Sequence, residues 1–208
     1  MDISGKTRVF GVIGDPIEHS LSPTIHNAAF RHLGLDFVFL AFRVKAADLE
    51  KVIQGMRGLG IHGLNVTMPH KSAVIGCLDE VDFSVRFLDS ANTILNRDGK
   101  LSGFSTDGVG ALKALLENGV DLSGKKVLLL GAGGAAKAIA FTLVPEVAEL
   151  AILNRSTEKA EELAETLGHM FNRNVVGGAL SPDTIKMNLR DSDVLVNATS
   201  AGMKPNLS

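Results

Sequence analysis

Lys125 to Ala140 reads KKVLLLGAGGAAKAIA, and the way that stretch is put together decides the fold. Val127 to Leu130 is an unbroken apolar run, as expected of a parallel strand covered on both faces, and alanine-rich helical sequence follows directly. That is half of a βαβ unit. Gly131, Gly133 and Ala136 fall on the pattern G-x-G-x-x-G/A. In it the first glycine makes the tight turn, the second lets backbone approach a pyrophosphate, and the small third residue lets helix and strand pack closely. Amides at the start of such a helix are unpaired and carry the positive end of its dipole, so they suit a diphosphate. A glycine turn alone also occurs as a plain strand-to-helix connection; here strand and helix flank it in the right order.

Downstream, Glu149 to Leu153 reads as the next strand and Thr157 to Leu167 as a charged helix, with Asn154-Arg155-Ser156-Thr157 between them. A dinucleotide site that selects NAD usually carries Asp or Glu near the end of this strand for the ribose 2′-hydroxyl, whereas arginine accommodates a 2′-phosphate. Arg155, Ser156 and Lys159 therefore argue for NADP, the alternative being an ordinary exposed loop arginine. Val175 to Leu180 and Asp193 to Ala198 read as further strands. The second runs into Asn197-Ala198-Thr199-Ser200-Ala201-Gly202-Met203, whose small residues leave room for a flat ring.

Upstream the βα alternation continues. Arg8 to Gly14 reads as a strand ended by Asp15-Pro16, and HSLSPTIHNAAF follows, with Ser22 suited to a helix N-cap and Pro23 to the first turn. Ser20 and Ser22 then sit at a helix N-terminus, where hydroxyls and free amides can hold a carboxylate or phosphate; a plain capping role for Ser22 stands equally open. Phe37 to Val44 is a second strand, and Ala46 to Arg57 a helix with Leu49, Val52, Ile53 and Met56 on one face. A third strand, Gly63 to Met68, places Asn65, Thr67 and Lys71 at or beyond its carboxyl end, the edge where open α/β sheets bind ligands. Lys71 is either a solvated charge or, if partly buried, an acid or base. Val74 to Leu88 reads as helix with an acidic break. Ala91 to Leu95 and Lys100 to Phe104 read as a hairpin closed at Asp98-Gly99. A helix starts at Asp107, which is either a cap or a carboxylate that holds the Lys71 ammonium.

The 21 basic and 23 acidic residues give net charge −2, which offers no general attraction for nucleic acid or an anionic membrane. Val9 to Ile13 is too short and too glycine-broken for a signal segment, and no run approaches the roughly 20 apolar residues of a membrane span. Cys77 is the single cysteine, which excludes an internal disulfide, favours a cytoplasmic setting, and reads as core. His19 and His26 stand seven apart with no metal-ligand spacing, so no metal site is expected.

Taken together, HSLSPTIHN, NVTMPHK, ANT, STDG, GAGGAA, NRS and NATSAGM occur in the order of the shikimate dehydrogenase family, which the chain resembles over nearly its whole length. The resemblance implies an NADP-dependent oxidoreductase interconverting 3-dehydroshikimate and shikimate in aromatic biosynthesis. It implies an α/β substrate-binding domain over residues 1–107 and a Rossmann-type NADP-binding domain over residues 108–208, with the active site in the cleft between. Lys71 would be the catalytic acid/base paired with Asp107, Ser20 and Ser22 would bind the substrate carboxylate, and Thr67, Asn92 and Asp107 the ring hydroxyls. NADPH would lie across Gly131, Ala132, Gly133, Gly134, Ala135 and Ala136, with Asn154, Arg155, Ser156 and Lys159 on its adenine-ribose phosphate and Thr199 and Met203 near the nicotinamide. A quinate/shikimate dehydrogenase of broader specificity and a non-catalytic carboxylate- and nucleotide-binding module are the alternatives. The chain departs from the family at Ser105, where Asn is common, and at Asp89-Ser90-Ala91, where Gly-Ala-Val is. Family members also run on by several dozen residues, bringing a substrate-contacting Gln and a Tyr, so this chain is expected to lack the C-terminal part and to expose apolar surface.

Overall fold

Arg8–Gly14 (β1) has the bounds that its apolar run predicts and lies inside a mixed sheet of the computed structural model, which describes residues 3–202. Phe37–Arg43 (β2) and Gly63–Val66 (β3) pair with it in parallel on either side, reached through the helices Ser22–His32 (α1) and Leu49–Gly58 (α2). The Leu49, Ile53 and Met56 stripe of α2 is buried against Ile13, Leu64 and Val66.

The reading of Val74 to Leu88 as one helix is corrected. The stretch divides into a 3-10 turn, Ala73–Cys77, a two-residue strand, Glu80–Val81 (β4), and a short helix, Phe83–Leu88 (α3). The helix is broken because Asp82 caps α3 by accepting the Val85 N–H at 2.8 Å, and because β4 is drawn into the sheet. Its partner there belongs to the hairpin Thr93–Arg97 (β5) and Lys100–Phe104 (β6), and the order across the sheet is β2-β1-β3-β5-β6-β4. Asp98 and Gly99 both take positive φ, 52° and 89°, as a two-residue hairpin turn requires. Cys77 is half-buried against this core, as expected, and burial first and the Glu50 charge second push its thiol up.

The chain divides into two units between Ser105 and Thr106, so Asp107 falls in the second. It is the first residue of Asp107–Glu117 (α4). The second unit then alternates Lys126–Leu130 (β7), Gly134–Leu143 (α5), Glu149–Asn154 (β8), Thr157–Phe171 (α6), Asn174–Ala179 (β9), Pro182–Asp191 (α7) and Val194–Asn197 (β10). All four strands are parallel, in the order β10-β7-β8-β9. The chain thus steps outward from β7 to β9 and then returns to the other side of β7, which makes the gap between β7 and β10 the topological switch point of a Rossmann half. Leu128, Leu129, Leu150 and Ile152 are fully buried in this sheet. Its β10 edge keeps Leu195 49% exposed, and in the first unit Leu21 and Ile25 are 69% and 63% exposed. No described helix is long and apolar enough to cross a membrane.

Helix α6 reaches β9 through one small residue. A Cβ on Gly177 would stand 2.5 Å from the carbonyl carbon and oxygen of Ala160 and from the Glu161 Cα, all backbone atoms that a rotamer change cannot move. Gly177→Ala is therefore expected to lower stability by about 1–3 kcal/mol, read by urea unfolding. An unchanged midpoint would show that α6 can retreat from the sheet at no cost.

Candidate active site

In the first unit the candidate residues come from three loops at the carboxyl ends of β1 and β3 and the start of β5. The β1 loop is held by Arg43, at the end of β2, whose Nε donates to Asp15 Oδ1 at 2.8 Å. Beyond it the reading of Ser22 as the N-cap of α1 is corrected. Leu21 occupies that position, Ser22 is the first helical residue, and the Ser20 Oγ accepts the Ser22 N–H at 3.3 Å. The Ser22 hydroxyl has no hydrogen-bond partner among the described residues, which leaves it available to a ligand at the helix start.

The β3 loop is fixed through its backbone. The Thr67 N–H donates to Ile13 O at 3.0 Å and the His70 N–H to Thr67 O at 3.0 Å, while a Cβ on Gly14 would stand 2.5 Å from Thr67 Cγ2. The His70 ring is 1% exposed and its Nε2 bonds Val44 O at 2.7 Å. Lys71 follows, half-buried, its carbonyl accepting the Ala91 N–H at 2.9 Å. That bond ties the lysine loop to Asn92. Asn92 in turn accepts from both neighbours: its carbonyl takes the Val66 N–H at 2.8 Å, and its Oδ1 takes the Thr93 hydroxyl at 3.1 Å. Asn65, which the sequence places at the strand end without a role, donates from Nδ2 to Asn92 O and Thr93 Oγ1 at 3.4 and 3.3 Å. Thr67, Lys71 and Asn92 are thus brought together with Asn65, while Ser20 and Ser22 sit on the neighbouring β1 loop.

In the second unit Asp107 is half-buried at the start of α4, and the cap position falls to Thr106, which makes no side-chain capping bond. The glycine turn is where the pattern puts it. Gly131 has φ of 112°, and a Cβ there would lie 3.0 Å from Ala198 O, across the switch point. Gly133 and Gly134 have nothing within 4 Å of such an atom, so their open side admits a ligand against the free amides of α5. Ala136 is fully buried and acts in packing, not in contact. Gly131, Gly133, Asn154, Arg155, Ala198 and Thr199 line one cavity of about 490 Å³ at the carboxyl ends of these strands. Asn154 Nδ2 donates to Ser156 O at 3.0 Å and shapes the turn into α6. Thr199 closes its own loop, donating from Oγ1 to Asn197 Oδ1 at 2.6 Å and accepting the Ala201 N–H at 3.1 Å. Arg155 and Lys159 are exposed and form no ion pair among the described residues. Open glycine faces, free helix amides and two unpaired cations fit a phosphorylated dinucleotide. Met203 lies outside the described residues.

His26 packs against Phe39, ring centroids 4.3 Å apart, and burial lowers its pKa, the behaviour of a structural imidazole. Among the described residues no three His, Cys, Asp or Glu side chains converge as a metal site.

Family models place these two units by description. Residues 12–94 match the shikimate dehydrogenase substrate binding domain, and residues 113–204 match the shikimate/quinate 5-dehydrogenase family. A shikimate dehydrogenase (NADP(+)) of Methanopyrus kandleri is 47% identical over 208 residues, covering 99% of this chain and 72% of that protein. The chain belongs to the shikimate dehydrogenase family. Among solved structures, the shikimate 5-dehydrogenase of Listeria monocytogenes in complex with shikimate and NAD aligns at TM-score 0.91 and 38% identity, over 100% of this chain and 73% of that one. A 5-ketofructose reductase of a Gluconobacter strain aligns at TM-score 0.88 and 33% identity, over 99% and 74%. The shikimate dehydrogenase fold therefore carries more than one named substrate on nearly the same backbone.

One fixture of the first unit, Asn27, carried no sequence signal of its role. Its Nδ2 donates to Phe39 O at 2.8 Å and its Oδ1 accepts the Phe39 N–H at 2.9 Å, so one amide clamps α1 to the edge strand β2. Asn27→Ala strands both backbone groups of a residue that is only 4% exposed. It is expected to cost about 1–3 kcal/mol in thermal or urea unfolding, with Asn27→Asp, which keeps the acceptor only, in between.

Proposed function

We propose that this chain catalyses the reversible, NADP-dependent reduction of 3-dehydroshikimate to shikimate, the step of aromatic biosynthesis its family names, with Lys71 as acid/base. The observation that supports this most is the single hydrogen-bonded frame holding Thr67, Lys71 and Asn92 together at the end of β3, in a chain 47% identical to a shikimate dehydrogenase. Ser20 and Ser22 hold the substrate carboxylate at the start of α1. Thr67, Asn92 and Asp107 accept or donate to the ring hydroxyls and so fix which carbon faces the reductant. The Lys71 ammonium gives its proton to the C3 oxygen as the carbonyl becomes an alcohol, and the amine takes it back in the oxidative direction. Asp107 holds that ammonium and favours its charged form.

NADPH, when bound, supplies the hydride to the C3 carbon. Gly131 to Ala135 receive its diphosphate with backbone amides, and Asn154, Arg155, Ser156 and Lys159 hold the adenine-ribose phosphate. Thr199, which lines the same cavity as Gly131 and Gly133, would border the nicotinamide. A cytoplasmic setting belongs to the same proposal, resting on the single Cys77. Quinate is the second substrate to test, because the model matched by the second unit is described for both compounds.

Shikimate and NADP⁺ mixed with the protein are expected to yield NADPH absorbance. Lys71→Ala is expected to lower kcat by roughly 10²–10⁴-fold with the shikimate KM within a few-fold. Undiminished kcat would remove Lys71 from the mechanism. Arg155→Ala is expected to raise the NADP⁺ KM while leaving that for NAD⁺ unchanged, since only the 2′-phosphate addresses the guanidinium.

A further inference from the structure

Ser156 stands at the N-cap of α6, yet its side chain makes no capping bond to the helix. Its hydroxyl donates instead to Glu158 Oε2 at 2.8 Å. The Glu158 backbone first and the Ser156 hydroxyl second hold the Glu158 carboxyl below the usual carboxylate range. An anion of the protein's own therefore sits on the hydroxyl that the adenine-ribose phosphate site offers, at the start of α6, with Arg155 and Lys159 exposed on either side of it in sequence and in no ion pair among the described residues.

We infer that Glu158 is a specificity residue that competes internally with the 2′-phosphate and so sets how strongly this protein prefers NADP over NAD. The inference rests on the cofactor site proposed above. A phosphate dianion and a carboxylate cannot share one hydroxyl and one helix terminus without strong like-charge repulsion. Bound NADP must therefore displace Glu158 from Ser156. NAD, which carries no charge at that position, leaves the Ser156 to Glu158 bond in place. An acidic residue in the first turn also favours its own helix through the dipole. If that were its only role, the two dinucleotides would respond alike to its removal.

The test is titration calorimetry of the purified protein with NADP⁺ and with NAD⁺, independent of turnover. Glu158→Gln keeps an acceptor for Ser156 but removes the charge. It is expected to tighten NADP⁺ binding by about three- to tenfold, with the NAD⁺ Kd moving by less than twofold. An unchanged ratio of the two Kd values overturns the inference, and the NAD⁺ value reports whether the fold is intact. Arg155→Ala distinguishes failure of the inference from failure of the site. If that variant loses NADP⁺ selectivity while Glu158→Gln does not change it, the cofactor site stands and the role of Glu158 falls. If Arg155→Ala leaves both affinities unchanged, or the parent binds neither dinucleotide, the site and the inference fall together.

Discussion

Close backbone approach at glycine is the constraint on which both units depend. In the first, β1 ends at Gly14, where a Cβ would strike Thr67 at 2.5 Å, so the two candidate loops can lie side by side. In the second, Gly131 lets the turn after β7 run within 3.0 Å of the Ala198 carbonyl, and Gly177 lets α6 settle onto β9. Parallel strands gather helix N-termini and loop amides at one edge of a sheet, but only small residues allow those loops to come near enough to form a site. The approaches at Gly131 and Gly177 are made against backbone, so they cannot be relieved by turning a rotamer, and at Gly14 the Met68 carbonyl lies 3.2 Å away beside the Thr67 methyl.

Much of this was legible in the sequence where the signal is local. The β1 bounds, the Asp98-Gly99 hairpin and the β7-turn-α5 fingerprint each depend on a few consecutive residues whose backbone preferences agree with the fold. Val74 to Leu88 was misread because its apolar residues fit a helical period, while what decides it is the pairing of Glu80–Val81 with β6, twenty residues on. Helix α7 went unread for a related reason. None of its residues is buried, so no apolar stripe marks it, and its signal is the capping box between Ser181 and Thr184 with Pro182 in the first turn.

The candidate site divides along the same line. Residues whose type implies chemistry, such as Lys71, Arg155 and the glycine turn, could be picked out from the sequence and are placed together with their expected neighbours within each unit. Asn27, Asn65 and Glu158 could not be given roles, because their partners are backbone groups of distant strands or a hydroxyl whose direction only the fold sets. Ser22 shows the converse. Its residue type announces a cap, yet the helix begins one residue earlier and the hydroxyl is left without that duty.

The two units also differ in which atoms do the recognising, and that difference predicts where specificity resides. On the proposed reading the dinucleotide side would be built mainly from main-chain amides around Gly131 to Ala135, which many sequences can supply as long as they keep the turn, with side chains entering at Arg155, Ser156 and Lys159. The first unit instead presents side chains, Ser20, Ser22, Asn65, Thr67, Lys71 and Asn92, on a backbone framework that holds them through hydrogen bonds such as Lys71 O to Ala91 N. A site that recognises by side-chain hydroxyls and amides discriminates sharply, because a substrate lacking the matching group leaves a buried polar atom unpaired. Substitution there can change the substrate without moving a strand. The alignment of this chain with both a shikimate dehydrogenase and a 5-ketofructose reductase at TM-scores of 0.91 and 0.88 is what such a division of labour would produce.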